Sequence, residues 1–220
     1  MKKHIKSLLP DFLLDYRHKK RIDEKELSNY LHWREKVYNQ WVTDGKPLPP
    51  PHAVKQRVIH TIQNKYTISV LVETGTFQGD MLEAQKRSFK ELYSIELSDE
   101  LHFKAKKRFQ YDRKIKLVLG DSSVQLKKIA QELVSQSIFW LDGHYSGEGT
   151  AMGMLECPIF AELDGVFSSK IKNHILLVDD ERCFTGANSY PTKEQLLKFV
   201  HKYNPNYRLK VIDDVIVLEP

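Results

Sequence analysis

Short apolar runs alternate with longer half-apolar stretches along most of this chain. Residues 69–73, 92–96 ("LYSIE"), 115–119 ("IKLVL"), 137–142 ("SIFWLD") and 174–178 ("HILLV") read as buried strands. Between them, stretches with apolar positions three and four apart predict helices at 53–65, 79–89, 99–109, 122–134, 156–168 and 192–202. Two further apolar segments, 207–212 and 214–218, close the chain at the Asp213-Asp214 pair. Strands alternating with helices imply a parallel sheet covered on both faces. The last two strands are too tightly joined to be parallel, so they form an antiparallel hairpin.

Residues 1–45 carry a different pattern. In "EKELSNYLHWREKVYNQWV" (24–42), Leu27, Leu31, Tyr38, Trp41 and Val42 recur at helical spacing. "DGKPLPPPH" then stops any helix, because proline fixes φ and removes a donor. The expected organisation is a helical arm with a proline-rich linker over 1–52 and an α/β domain over 53–220.

The ends of the five strands carry the candidate chemistry, since open α/β sheets bind ligands at their carboxyl edge. They present Glu73-Thr74-Gly75-Thr76, then Glu96, then Gly120-Asp121-Ser122, then Asp142-Gly143-His144, then Asp179-Asp180. Any one of these acids suits a helix N-cap. Five in succession on one sheet edge ask for another explanation. Gly75 and Gly79 allow close approach of backbone to a ligand. Their G-x-x-x-G spacing is not the dinucleotide G-x-G-x-x-G. Glu73 beside the turn disfavours a pyrophosphate and favours a cationic ligand. Glu96, 21 residues beyond Gly75, stands near the offset at which an acid holds ribose hydroxyls in such folds.

"VETGTFQGD", "YSIELS", "LGDSS" and "FWLDGHYSG" resemble, in order, motif I and the three following motifs of the class I S-adenosylmethionine (SAM)-dependent methyltransferases. The resemblance covers about residues 53–220. It implies a Rossmann-like, mostly parallel seven-stranded sheet with a C-terminal antiparallel hairpin. It also implies SAM as cofactor: Glu73, Gly75, Thr76 and Gly79 around the methionine part, Glu96 on the ribose, Asp121 and Ser122 facing adenine, with Asp142 beside them. The glycine loop departs from the commoner G-x-G-x-G. Asp142, Asp179 and Asp180 come from the ends of neighbouring strands, and three convergent carboxylates suit a hard cation such as Mg²⁺. That set is similar to the metal-dependent macrocin O-methyltransferases and the cephalosporin-hydroxylase-like branch, which implies metal-assisted methylation of a small hydroxylated acceptor. His144 is the candidate base and Tyr145 a candidate acceptor contact, on a loop with four glycines between 143 and 153. His52, Lys55 and Gln56 open the first helix of the domain and read first as a plain helix start after proline; in this fold they would also approach the SAM side.

Composition narrows the alternatives. The net charge is +5, with much of the excess before residue 70. A basic arm can meet nucleic acid, but "LDGHY" stands where amino-group methyltransferases of nucleic acid carry an N/D-P-P-Y/F signature. The alternative is a SAM-binding scaffold or regulatory protein without transfer activity. No apolar run approaches the roughly 20 residues of a membrane span, and Pro10, Asp11 and Asp15 interrupt the basic start. Cys157 and Cys183 lack metal-type spacing and fit free thiols in a cytoplasmic protein. The aromatic N-terminal helices offer a face for a homo-oligomer.

Overall fold

The structure, a computed structural model, describes residues 11–143 and 157–220. The chain divides into two compact units, Met1–Pro47 and Leu48–Pro220. The first is built on one long helix, α1 (Asp11–Thr43). Gly45 turns the chain at its end, and the Trp41 indole N–H donates to the Pro47 carbonyl at 2.8 Å.

The second unit follows the alternation expected of it. Its elements are α2 (His52–Tyr66), β1 (Val70–Thr74), α3 (Asp80–Gln85), β2 (Glu91–Glu96), α4 (Asp99–Arg108) and β3 (Ile115–Leu119). After these come α5 (Ser122–Glu132), β4 (Ile138–Leu141), α6 (Ile159–Phe167), β5 (Ile175–Val178), α7 (Lys193–His201), β6 (Arg208–Ile212) and β7 (Val215–Glu219). The seven strands lie in the order β3-β2-β1-β4-β5-β7-β6. β1 to β5 are mutually parallel, and β7 runs antiparallel to both β5 and β6. Ile212 pairs with Val215 across the Asp213-Asp214 turn, whose two residues have φ of 49° and 68°. Two consecutive positive φ values make the tight turn whose twist matches a hairpin, and Asp tolerates that conformation.

Two apolar layers sandwich the sheet, as period-2 strands require. Val70, Val72, Phe139, Leu141, Leu176 and Ile216 pack with α5, α6 and α7. Leu71, Ile138, Trp140, Leu177 and Val217 pack with α2 and α3 on the other face. The helix expected over 79–89 is shorter: α3 stops at Gln85, because Ser88 and Phe89 turn back to the Gln85 carbonyl and Phe89 is buried. Cys157 and Pro158 precede α6, so the helix expected from 156 begins at Ile159. The strand expected from 214 begins at Val215, since Asp214 belongs to the turn.

Candidate functional site

The strand order reverses between β1 and β4, so a crevice opens beyond their carboxyl ends. β1 leaves the sheet through Gly75, whose φ is +82°. A Cβ there would stand 2.6 Å from the Asp142 carbonyl oxygen, so conformation and contact both require glycine. The Gly75 and Thr76 N–H groups donate to the Ile95 carbonyl at 3.0 and 3.2 Å. The Asp142 N–H donates to Thr74 Oγ1 at 3.0 Å, which ties the end of β4 to the end of β1. Gly143 faces a narrow space: a Cβ there would come within 2.7 Å of Glu162 Oε1, 3.0 Å of Thr74 Oγ1 and 3.2 Å of Ser122 Oγ.

The acids at this edge are held in different ways. Glu73 lies inside β1 rather than on the turn and is 1% exposed. Its Oε2 accepts the Ser94 hydroxyl at 2.6 Å, and Ser94 Oγ is 2.6 Å from Thr76 Oγ1. Burial pushes the Glu73 carboxyl up to about 8; Ser94 lowers it in part and the Glu96 charge raises it. It is therefore a neutral internal group at neutral pH, and not the surface negative charge expected beside the glycine turn. Glu96 stays at the edge, with Oε2 accepting the Phe77 N–H at 2.8 Å and Oε1 the Ser98 N–H at 2.9 Å. Those bonds fix the plane of the carboxylate and leave each oxygen a second lone pair.

Phe77 sits above this pair at φ 48°, an uncommon conformation for an aromatic residue. Gly79 also has positive φ, yet the Phe109 ring lies 2.6 Å from where its Cβ would be, so its small size serves packing. Asp121 caps α5: Oδ1 accepts the Ser123 N–H at 2.8 Å and the Ser123 hydroxyl at 2.6 Å. Ser122 begins that helix next to Gly143.

Asp142, Asp179 and Asp180 do come together, but around a lysine. Lys55 of α2 places Nζ 2.5 Å from Asp179 Oδ2 and 3.0 Å from Asp180 Oδ1. Asp179 Oδ1 accepts the Asp180 N–H at 2.8 Å. Arg182 donates to Asp180 Oδ1 at 2.8 Å and also to Asp214. Burial and the Asp179 charge push Asp142 well above the usual carboxylate range, with a carboxyl–carboxyl hydrogen bond to Asp179 adding to the shift. Burial also raises Asp179, against the pull of Lys55. For Lys55, burial opposes the charged form, yet the Asp179, Asp142 and Asp180 charges hold its ammonium above the ordinary lysine range. Among the described residues no group of three or more His, Cys, Asp or Glu side chains is arranged to hold a metal ion. The three aspartates do not fit the Mg²⁺ expected of them, because oxygens of Asp179 and Asp180 already hold an ammonium, a guanidinium and an N–H.

His144 and Tyr145 lie outside the described residues. Sequence reasoning undervalued Lys55 and passed over Arg182, Asp214 and Glu162. Glu162 had a signal: it shares a helical stripe with Ile159, Leu163 and Val166, so an acid stands on an otherwise apolar face and is 2% exposed. Arg182, two residues after a pair of aspartates, had one as well. Asp214 had none beyond the hairpin turn it occupies. His52, third of the residues expected near the cofactor side with Lys55 and Gln56, binds the Gln56 amide at 2.8 Å. No helix among the described residues is long and apolar enough to cross a membrane.

No protein-family model matches the chain, and no curated protein matches it. Solved structures do. An O-methyltransferase from Bacillus cereus in complex with SAH is 9% identical with a TM-score of 0.53, over 85% of this chain and 90% of that one. TomG from Streptomyces achromogenes, an O-methyltransferase of tomaymycin synthesis in complex with SAM, is 12% identical with a TM-score of 0.52, over 84% and 87%. The SAH-bound Podospora anserina methyltransferase PaMTH1 is 14% identical with a TM-score of 0.51, over 97% and 98%. At such identities the likeness is one of fold. With the β3-β2-β1-β4-β5-β7-β6 sheet and its antiparallel β7, it establishes that the chain has the class I SAM-dependent methyltransferase fold.

Proposed function

We propose that the chain is a SAM-dependent methyltransferase acting on a hydroxyl of a small acceptor, such as a sugar or a natural product. The observation that carries this reading is Glu96, a carboxylate locked by two backbone N–H groups at the end of β2 with lone pairs left for two vicinal hydroxyls. Gly75 and Thr76 would line the methionine side at the switch point. Asp121 and Ser122 would stand at the adenine side. Gly143, with no side chain, lets Thr74, Ser122 and Glu162 pack closely against the end of β4. Glu73 would act from beneath, by holding Ser94 and Thr76 in place. SAM supplies an electrophilic methyl on a cationic sulfur, which an edge rich in carboxylates favours.

The chain's own work would be to hold donor and acceptor in line, which lowers the barrier mainly through proximity. It would also take the hydroxyl proton. His144, directly after Gly143, is the base we assign on sequence grounds, with Tyr145 beside the acceptor. The neighbours that carry SAM or SAH support the cofactor, and those named O-methyltransferases support the acceptor class.

The test is a calorimetric titration of SAM into the full chain, with NAD⁺ as control. Saturable SAM binding, weakened roughly 10- to 100-fold in Glu96→Ala, is the expected result. It justifies screening hydroxylated sugars for SAH release in wild type and His144→Ala. Absence of SAM binding in folded protein would sink the reading. SAM binding with no transfer to any acceptor would point to a silent scaffold.

A further inference from the structure

β4 and β5 are adjacent parallel strands, and their ends bring Asp142, Asp179 and Asp180 to one place. Three carboxylates in a small volume repel one another unless a cation or a shared proton offsets them. α2 delivers that cation from more than a hundred residues away in sequence. The Lys55 side chain is 14% exposed and that of Asp179 0%, so the pair is shielded from water. Both Asp179 oxygens and one Asp180 oxygen are already engaged. Asp179 uses one oxygen for the Asp180 N–H and the other for Lys55. Asp180 shares Oδ1 between Lys55 and Arg182. Its backbone is in the αL conformation, with φ 56° and ψ 52°.

A lysine ammonium and a divalent ion ask for the same partners, compact and rich in oxygen. They cannot share this space. A Mg²⁺ ion bonds carboxylate oxygen at about 2.0–2.1 Å, so it would have to sit against the ammonium that now holds those oxygens.

We propose that Lys55 is the resident cation of the acidic cluster, occupying the position that Asp142, Asp179 and Asp180 would otherwise give to a divalent metal ion. The chain then needs no metal at this place, and the lysine sets the spacing of the β4 and β5 ends. The proposal does not depend on the methyltransferase reading, since it is tested with neither SAM nor acceptor present.

The experiment uses the full chain, stripped with EDTA, and Mn²⁺ as the probe, followed by electron paramagnetic resonance. Wild type is expected to leave Mn²⁺ free. Lys55→Met keeps the apolar stem but removes the ammonium. It is expected to gain one Mn²⁺ site at least ten-fold tighter than anything in wild type, and adding Asp179→Asn should abolish it. Lys55→Arg should remain metal-free. A stoichiometric Mn²⁺ site in wild type that Asp179→Asn removes overturns the proposal. A folded Lys55→Met that binds Mn²⁺ no better than wild type does so too. If Lys55→Met is unfolded alone, millimolar Mn²⁺ should restore its near-ultraviolet circular dichroism, and failure to restore it counts equally against the proposal.

Discussion

Glu73→Gln isolates one buried carboxyl in the centre of the sheet. The glutamine keeps the size of the side chain and can still accept the Ser94 hydroxyl that now donates to Glu73 Oε2. In the folded protein the Glu73 carboxyl is pushed from 4.5 up to about 8, first by burial, with Ser94 working against the shift and the Glu96 charge adding to it. An unfolded glutamate gives up its proton near its ordinary value, whereas the folded one keeps it until about 8. Over that window the unfolded state binds fewer protons, so wild-type stability is full at low pH and falls as pH rises. Each pH unit within the window is worth about 1.4 kcal/mol, so wild type loses roughly 3 kcal/mol between about pH 5 and pH 7.5. Glu73→Gln has no proton to lose and escapes this term. Urea unfolding of both proteins across the range should therefore show the stability difference moving in favour of the variant by roughly 3 kcal/mol. In thermal melts this is a shift of roughly 6–12 °C for a domain of this size. A difference that stays constant across the range refutes the argument, because it means Glu73 ionises in the fold as it does in the open chain.

Two further substitutions test other parts of the same framework. Gly75→Ala forces a Cβ to 2.6 Å from the Asp142 carbonyl at a φ of +82°, and should destabilise the fold by roughly 3 kcal/mol while weakening SAM binding; an alanine variant as stable as wild type in urea would contradict the close approach. His174 is buried with Nδ1 accepting the Ser137 N–H and Nε2 next to Ser169 Oγ, and burial, helped by Lys172, lowers it from 6.5 to about 4. Its contribution is present above the ordinary histidine value and is lost as pH falls toward 4, so His174→Gln should flatten an acid-side loss of roughly 3 kcal/mol, and parallel wild-type and variant curves from about pH 6.5 to pH 4 would contradict this neutral role.

Much of the fold was legible because its signals are local. Short apolar runs placed all five parallel strands, and the Asp213-Asp214 pair required the antiparallel hairpin that the structure shows with two positive φ values. Element ends were less legible where a tertiary demand intervenes, as at Phe89, whose burial ends α3 early. The acids of the site were legible as positions on one edge, because strand ends follow from strand assignment. Their partners were not. Lys55 meets Asp179 across 124 residues and Ser94 meets Glu73 across 21, and no periodicity reports a contact of that kind. The packing partner of Gly79 was hidden for the same reason: it is the ring of Phe109, just past the end of α4.

These partners explain how one sheet edge tolerates so many carboxylates. Glu73 removes its charge by keeping a proton in the interior. Glu96 spreads its charge over two backbone N–H groups, and Asp121 does so by capping α5. Burial and the Asp179 charge raise Asp142 well above the usual carboxylate range, while Lys55 and Arg182 neutralise Asp179 and Asp180. The edge is thus graded along the sheet. From β4 to β5 the acids are compensated from within, and the compensation is part of the fold. At β2 the carboxylate is oriented by two backbone N–H groups rather than paired, among the described residues, with a cationic side chain. A cationic nucleoside entering at the switch point would meet carboxylates without a cationic partner among the described residues at Glu96 and Asp121, and Glu96, whose plane two backbone N–H groups fix, is the one on which the cofactor reading should be tested first.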